Sequence, residues 1–327
     1  VALPLPLDFG PSGIKIVTAT TNLDEYATSV SEQLLLRETL KRAATVRLGR
    51  GGGAAKATKT ESDLTITATH GGSAGNDINV TIAANVDVPT SFTVTTYLGS
   101  IAKHTQVAKT IEELEDNVLV TFSGTGNLAA ATILLTGGTT TATTASDYSD
   151  FFEAVQVHDV NTLALPVEDS AIKTAGVSFV KRLRNQEGRK CQAVVAEYTA
   201  DTYAAINVKN GVILSDGTVV PAHQAVAWVA GATAGAGLAE SLTYTAYDDA
   251  VDVDTRYLDS EIVESILRGE FVFVEKRGQA IVEIDINSHV SFKATEGETF
   301  RKNRLLRVID AYDNNTRITF EDFFIGK

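Results

Sequence analysis

The sequence is poor in the residues that build disulfide, redox and metal sites. It contains one cysteine, Cys191, and no methionine in 327 residues, which excludes an internal disulfide and a cysteine-rich metal centre. Cys191 lies in an apolar segment typical of a buried strand, so we expect an inert core thiol. The five histidines lie far apart, and no two are separated by four residues. We therefore predict no metal site.

Positive charge is also scarce. Lysine and arginine number 28 against 41 aspartates and glutamates, giving a formal net charge of −13, which argues against a nucleic-acid-binding protein. The most apolar stretch, Ala222 to Leu238, is mainly alanine and glycine, with too few bulky side chains for direct membrane insertion. The chain begins at Val1 without a methionine, and we expect further segments at both ends of the natural protein.

The segment from Asn210 to Tyr247 organises the rest of the chain. Asp216-Gly217 between two β-branched runs predicts a hairpin, because glycine accepts the positive φ of the turn. Pro221 suits a first helical position, and Ala222 to Leu238 follows as a helix that is apolar almost all round. Such a helix is buried. Its glycines indicate close packing against neighbours rather than a phosphate-binding loop.

Helices and strands alternate on both sides of this segment. The predicted helices are Ser31–Ala44, Asp147–Val155, Ser170–Glu187, Ser260–Arg268, Glu298–Ala311 and one from near Thr316 to the end. The predicted strands are Thr45–Leu48, Val160–Val167, Gln192–Tyr198, and the hairpin Phe271–Val274 with Ala280–Ile286. The strand–helix–strand spacing indicates a crossover unit. We predict an α/β (α+β) main domain with a mixed sheet and packed helices.

Residues 54–146 have a different composition. Threonine is abundant, and residues 64–69, 78–82 and 92–97 alternate with period two, which predicts strands with one solvated face. A short helix capped by Thr110 is expected in this part, and Gly49–Gly53 has the composition of a linker. We expect an inserted antiparallel β-sandwich domain, residues 54–146, within a discontinuous main domain of residues 1–50 and 147–327.

Signals of catalysis are weak. Gly124-Thr125-Gly126 lacks the third glycine of a dinucleotide-binding fingerprint. Ser178 and Lys181 have the spacing of a nucleophile motif, but the residues between them belong to the core face of a helix. The aspartates between 248 and 254 lack the glycine turn and closing glutamate of a calcium loop. We predict that the protein is not an enzyme and uses no cofactor.

Four basic residues lie within seven positions of this acidic chain: Arg301, Lys302, Arg304 and Arg307. They fit either a solvated helix face or a contact face for an acidic partner. We interpret them as candidate assembly contacts, since charges at the rim of an interface steer association and set its register.

An ordered set of short motifs resembles the tail sheath proteins of contractile bacteriophages, chiefly those of Gram-positive phages and defective prophages. The motifs are Asp147-Tyr148, Phe179–Arg184, Glu187-Gly188, Asn210–Gly217, Ala227–Gly235, Ser241–Tyr244, Gly269–Phe273, Asp285–Asn287, Phe300–Arg304, Arg307-Val308, Thr319–Asp322 and Ile325–Lys327. The resemblance extends over most of residues 147–327 and also includes the helix predicted in residues 31–44. Each motif alone is weak, but their order along the chain is specific.

The resemblance implies a structural subunit that polymerises as stacked hexameric rings around a tail tube and contracts to drive the tube through a cell envelope. It implies a homo-oligomer with tail tube and baseplate partners, located in the virion tail and assembled in the bacterial cytoplasm. It also implies terminal arms that add strands to a neighbour's sheet. If the hairpin Phe271–Ile286 lies at a sheet edge, we expect it to offer unpaired backbone groups to such a strand.

Two alternatives stay open. The first is the sheath of a phage-tail-like bacteriocin or another contractile injection system. The second belongs to a different class: a carbohydrate-binding or adhesin module carried by the threonine-rich insert.

Overall fold

The computed structural model describes residues 1–6, 13–23, 26, 30–141 and 143–324. Its helices are α1 (Val30–Leu40), α2 (Ala145–Val155), α3 (Ser170–Gln186), α4 (Ala222–Gly235), α5 (Asp259–Leu267) and α6 (Asn303–Phe323). Its strands are β1 (Ala2–Pro6), β2 (Lys15–Thr18), β3 (Thr45–Gly51), β4 (Ala54–Glu61), β5 (Leu64–Gly71), β6 (Ile78–Ala84), β7 (Phe92–Leu98), β8 (Ile101–Ala108), β9 (Val120–Gly124), β10 (Ala131–Leu134), β11 (Thr139–Thr140), β12 (Thr162–Ala164), β13 (Gln192–Ala196), β14 (Ala205–Val208), β15 (Val212–Leu214), β16 (Val219–Val220), β17 (Ala250–Val253), β18 (Glu270–Phe271), β19 (Phe273–Glu275) and β20 (Ala280–Val282).

A seven-stranded sheet with the order β18-β14-β13-β12-β1-β3-β2 forms the centre of the main body. Its strands are parallel except β2, which runs antiparallel to β3. Alternate residues of a strand face opposite sides of the sheet. Thus Val194 packs with α1 and α4 in one apolar cluster, whereas Ala193 and Val195 pack with α2 and α3 in another. The predicted α/β main domain with a mixed sheet is confirmed.

Helix α4 is buried from Ala225 to Thr233, as predicted from its apolar surface. Trp228 is fully buried and stacks on Tyr247, with 4.4 Å between the ring centroids. Two glycines let α1 and the turn after it approach: a Cβ at Gly231 would lie 2.3 Å from the carbonyl oxygen of Thr39, and one at Gly235 would lie 2.2 Å from that of Arg42. The helix ends at Gly235 rather than Leu238, because two glycines within three residues propagate a helix poorly.

Replacing Gly231 with alanine is expected to lower the free energy of unfolding by about 2 kcal/mol, the usual cost of overpacking a core. The new methyl group would meet α1 backbone, and this cost exceeds the gain of up to about 1 kcal/mol in helix propensity. Urea unfolding followed by circular dichroism measures the change. The matched control is Gly237→Ala, whose Cβ would lie 3.8 Å from the Glu240 carboxylate. Equal stability of the two variants would contradict the prediction.

Residues 54–140 form two four-stranded sheets, β10-β6-β7-β8 and β11-β4-β5-β9. They enclose an apolar cluster of their own, which includes Ile66, Ile78 and Leu119. The alternating strands predicted here are confirmed, but the helix predicted from Thr110 is wrong. Only a 3₁₀ turn forms at Ile111–Glu113, and Thr110 makes no side-chain capping bond.

The linker predicted at Gly49–Gly53 is wrong for its first three residues, which belong to β3. The composition misleads because these glycines serve packing. A Cβ at Gly49 would lie 2.1 Å from the Phe151 ring of α2, and one at Gly51 would lie 2.6 Å from the Cβ of Asp147. Helix α2 can therefore lie directly on the strand.

Near the C-terminus, the two helices predicted at 298–311 and from 316 are one. Residues Glu298–Arg301 form a 3₁₀ turn, and α6 then runs without a break to Phe323. The second hairpin is confirmed but shorter than predicted, because Phe271 belongs to β18 of the central sheet. The Ile325–Lys327 motif lies outside the described residues.

Candidate assembly surface

The described residues hold no group of three or more histidine, cysteine, aspartate or glutamate side chains placed to bind a metal. Cys191 is buried, as predicted, and burial raises the pKa of its thiol to about 12.

The acidic run near residue 250 stabilises the fold. Asp248 accepts hydrogen bonds from Arg42 and from the Trp228 ring nitrogen at 2.6 and 2.9 Å, and Asp254 accepts one from the Gly211 amide at 2.9 Å. In the described part of the chain, no helix is long and apolar enough to cross a membrane.

A crevice of about 340 Å³ lies at the carboxyl ends of β1 and β12. Helices α1 and α3 diverge there to opposite faces of the sheet, and α/β folds often bind ligands at such a point. The titratable side chains of this crevice either pair with another side chain or keep their proton. Glu32 is held by Arg50 at 3.0 Å, His223 lies 3.5 Å from Glu168, and burial raises the pKa of Tyr148 to about 12. Among these described residues, no nucleophile is paired with a base.

Helix α6 is attached to the main body through one face. Arg184, which is almost fully buried, donates to both carboxylate oxygens of Asp310, at 2.6 and 2.8 Å, and to the carbonyl of Cys191 at 2.8 Å. Lys190 pairs with Asp313 at 2.9 Å one turn further on. Since positions 310 and 313 lie on the same side of a helix, these pairs fix the orientation of α6.

A buried polar network fixes the start of α6. The Asn303 side chain donates to Asp285 at 2.8 Å and accepts from Asn287 and Gln192 at 3.2 and 3.1 Å. Each of these side chains has a partner, as burial requires. Sequence reasoning did not single out these residues, although Asp285, Asn287 and Asn303 all belong to the motifs of the resemblance.

The four predicted contact residues lie together at this end of α6 but have different surroundings. Lys302 and Arg304 are exposed, and their side chains make no hydrogen bond or ion pair within the described residues. Arg307 points inward, donating to Asp285 at 3.1 Å and to the Glu240 carbonyl at 2.6 Å.

The fourth residue, Arg301, is partly buried. Desolvation lowers the pKa of its guanidinium group, against the opposing charge of Glu298. Its Nε and Nη2 atoms have no hydrogen-bond partner among the described residues. The assembly role of all four residues stays a prediction.

The edges of the second hairpin are already occupied, so the expectation that it offers a free edge to an incoming strand is wrong. On the outer edge of β20, the Tyr247 amide donates to the Ala280 carbonyl at 2.8 Å, and Tyr244 donates to Val282 at 2.7 Å. On the outer edge of β19, the Asn210 side chain binds both the amide and the carbonyl of Phe273, at 2.9 and 3.0 Å.

The described residues form an α/β body with an inserted β-sandwich, and buried carboxylates such as Glu32 and Asp285 are held by arginines and amides. Two family models match the chain: "Phage tail sheath protein central domain" over residues 141–288 and "Phage tail sheath protein beta-sandwich domain" over residues 50–146. The phage-like element PBSX protein XkdK of Bacillus subtilis (strain 168) is 39% identical over 344 residues, 96% of this chain and 73% of that protein. The chain belongs to the phage tail sheath protein family, which is structural and forms part of the virion tail.

Solved structures agree with this assignment. The crystal structure of the sheath tail protein of Desulfitobacterium hafniense is 42% identical and superposes with a TM-score of 0.90, covering 100% of this chain and 80% of that one. The helical sheath of the anti-feeding prophage in its contracted state covers 100% of this chain and 71% of that one, with a TM-score of 0.54. At 12% identity, the latter likeness shows a shared fold alone.

Proposed function

We propose that this protein polymerises as stacked hexameric rings around a tail tube and contracts to drive the tube through a cell envelope. The observation that carries the proposal is the family match over both the central and the β-sandwich parts. A sheath solved in its contracted state has the same fold. Its partners are then further copies of itself, the tail tube and the baseplate, and assembly takes place in the bacterial cytoplasm.

Contraction of this kind needs no nucleotide, because the extended polymer stores the free energy. The subunit must then move as a rigid body. The glycine-mediated contact of α4 with α1 and the ion pairs that fix α6 supply this rigidity. We further propose that residues 1–50 and 147–327 form that body and that residues 54–146 form a separate domain, since the two sheets of the insert enclose their own core.

The particle could belong to a phage or to a phage-like injection machine. XkdK is named for a phage-like element, and the contracted sheath for an anti-feeding prophage. Both names support the second candidate.

Negative-stain electron microscopy of the full-length gene product tests the proposal. Long hollow tubes would support it. Monomers at every concentration and salt would contradict it, leaving only the shared fold.

Reversing two charges at the start of α6, Arg301→Glu with Arg304→Glu, is expected to reduce assembly on the tube by about tenfold, because like charges would then face an acidic partner. Co-sedimentation of full-length protein with tube protein measures this. Lys56→Glu with Lys59→Glu, two reversals on an exposed strand of the insert, serves as the control for net charge. Unchanged assembly of the double variant, with an unchanged circular dichroism spectrum, would make the cluster a solvated face.

A further inference from the structure

An apolar groove of about 540 Å³ lies between α5 and the β19–β20 hairpin. Within α5 only Ser265 is buried, whereas Val263 and Leu267 are 55% and 65% exposed. Val274 and Ile262 form part of the groove, in a small apolar cluster separate from the main cores. Helix α5 thus buries none of its four apolar side chains completely, and large exposed apolar patches mark interaction sites. We refer to this surface as the α5 groove.

The α5 groove is lined by more carboxylates than cations. Three carboxylates line it, those of Asp259, Glu275 and Glu283, against two cations. The two cations that line the groove are neutralised internally: Arg256 pairs with Asp252 at 2.9 Å, and Lys276 pairs with Glu283 at 2.7 Å.

Asp259 differs from the other groove carboxylates. It lines the groove, is exposed and makes no ion pair within the described residues. An approaching surface would therefore meet uncompensated negative charge beside apolar side chains.

The outer face of α6 has the opposite character. Arg304, Val308 and Tyr312 follow one another at four-residue intervals, so they share one face of the helix. Val308 is 46% exposed and Tyr312 is 76% exposed, and the exposed Lys302 immediately precedes the helix. The carboxylates of this part of α6, Asp310 and Asp313, are bound on the other side by Arg184 and Lys190. We refer to Lys302, Arg304, Val308 and Tyr312 as the α6 ridge.

We infer that the α6 ridge of one copy binds in the α5 groove of a second copy of this chain. The inference rests on the proposed function and names the acidic partner of the basic cluster. The two surfaces match in both respects that matter: each is apolar, and their uncompensated charges have opposite sign. Because ridge and groove are different patches, each copy that uses one still offers the other. Such a heterologous contact builds rings or helices rather than closed pairs.

Complementary charge reversals in the full-length gene product test this contact. Arg304→Glu places a carboxylate against the acidic groove, and Asp259→Arg places a guanidinium against the basic ridge. Each variant alone is expected to raise the protein concentration needed for self-association by about tenfold. An equimolar mixture of the two should return to near the wild-type concentration, since each ridge then meets a groove of opposite charge.

Sedimentation velocity measures self-association, and electron microscopy shows whether tubes form. Lys59→Glu and Glu61→Arg, both on an exposed strand of the insert, are the matched controls for net charge. Circular dichroism checks that each variant folds. A double variant carrying both reversals in one chain should associate like wild type, which separates a lost contact from a lost fold.

The outcomes distinguish the inference from the proposed function. Self-association that is lost in each single variant and restored in the mixture supports the contact, even if no tubes form. Tubes that form equally well in every variant would overturn the contact and leave the function standing. A wild-type protein that never associates would overturn both. If Arg304→Glu weakens only binding to tube protein while Asp259→Arg changes nothing, the ridge binds the tube and the inference is wrong.

Discussion

Replacing Trp228 with alanine is expected to lower the free energy of unfolding by about 4 kcal/mol, within the range for large-to-small changes of buried aromatic residues. The indole ring is fully buried, stacks on Tyr247 at 4.4 Å and meets the Phe273 ring edge-on at 5.9 Å. Its removal opens a cavity that α4 cannot close, because Gly231 and Gly235 already hold the helix against α1. Urea unfolding followed by circular dichroism measures the loss.

The informative control is Trp228→Phe. This variant keeps a ring in the stack but removes the hydrogen bond from the indole nitrogen to Asp248, 2.9 Å long. Loss of one hydrogen bond to a charged group costs about 1.5–3 kcal/mol, so this variant should be less destabilised than the alanine variant. A loss below about 1 kcal/mol for Trp228→Ala would show that the aromatic cluster is not central to the core.

Replacing Arg184 with methionine is expected to lower the free energy of unfolding by about 3 kcal/mol, the low end for breaking a buried ion pair. Asp310 would lose both of its hydrogen bonds, and the Cys191 carbonyl would lose its donor. The low end applies because the Asp310 side chain is 16% exposed and can recover some hydration. Hydrogen exchange of the α6 amides should accelerate, since this pair attaches the helix to the body.

Removing the second charge gives the matching control. In the double variant Arg184→Met with Asp310→Leu, no charge is left unpaired, and apolar replacements for a buried pair are often neutral or stabilising. The double variant should therefore be more stable than Arg184→Met alone. If it were less stable, the pair would act mainly through side-chain packing rather than through charge.

The glycines show what could be predicted from the sequence. Gly231 and Gly235 interrupt a helical, apolar run, and since glycine weakens a helix, their presence there correctly indicated close packing. Gly49 to Gly51 carry the same meaning, but they occur in a row of glycines, which is typical of a linker. Only the fold shows that Phe151 lies across that strand.

The basic cluster shows where sequence reasoning stops. Four cations within seven residues were visible in the sequence, but their partners were not. Arg307 is neutralised by Asp285, 22 residues away, and Arg304 is not neutralised within the described residues. The sequence predicts two helices in place of α6, because residues 313–316 have low helix propensity. Tertiary pairs with Arg184 and Lys190 outweigh that propensity.

The insert leaves and rejoins the main body at a single point. The Thr141 amide donates to the Gly53 carbonyl at 2.8 Å, and Ala54 pairs with Thr140 in the adjoining strands. A segment whose two ends lie side by side can be exchanged as a unit, because removing it opens no gap that the rest of the fold must bridge. The insert can therefore diversify, or be replaced by design, without a change in the fold of the main body.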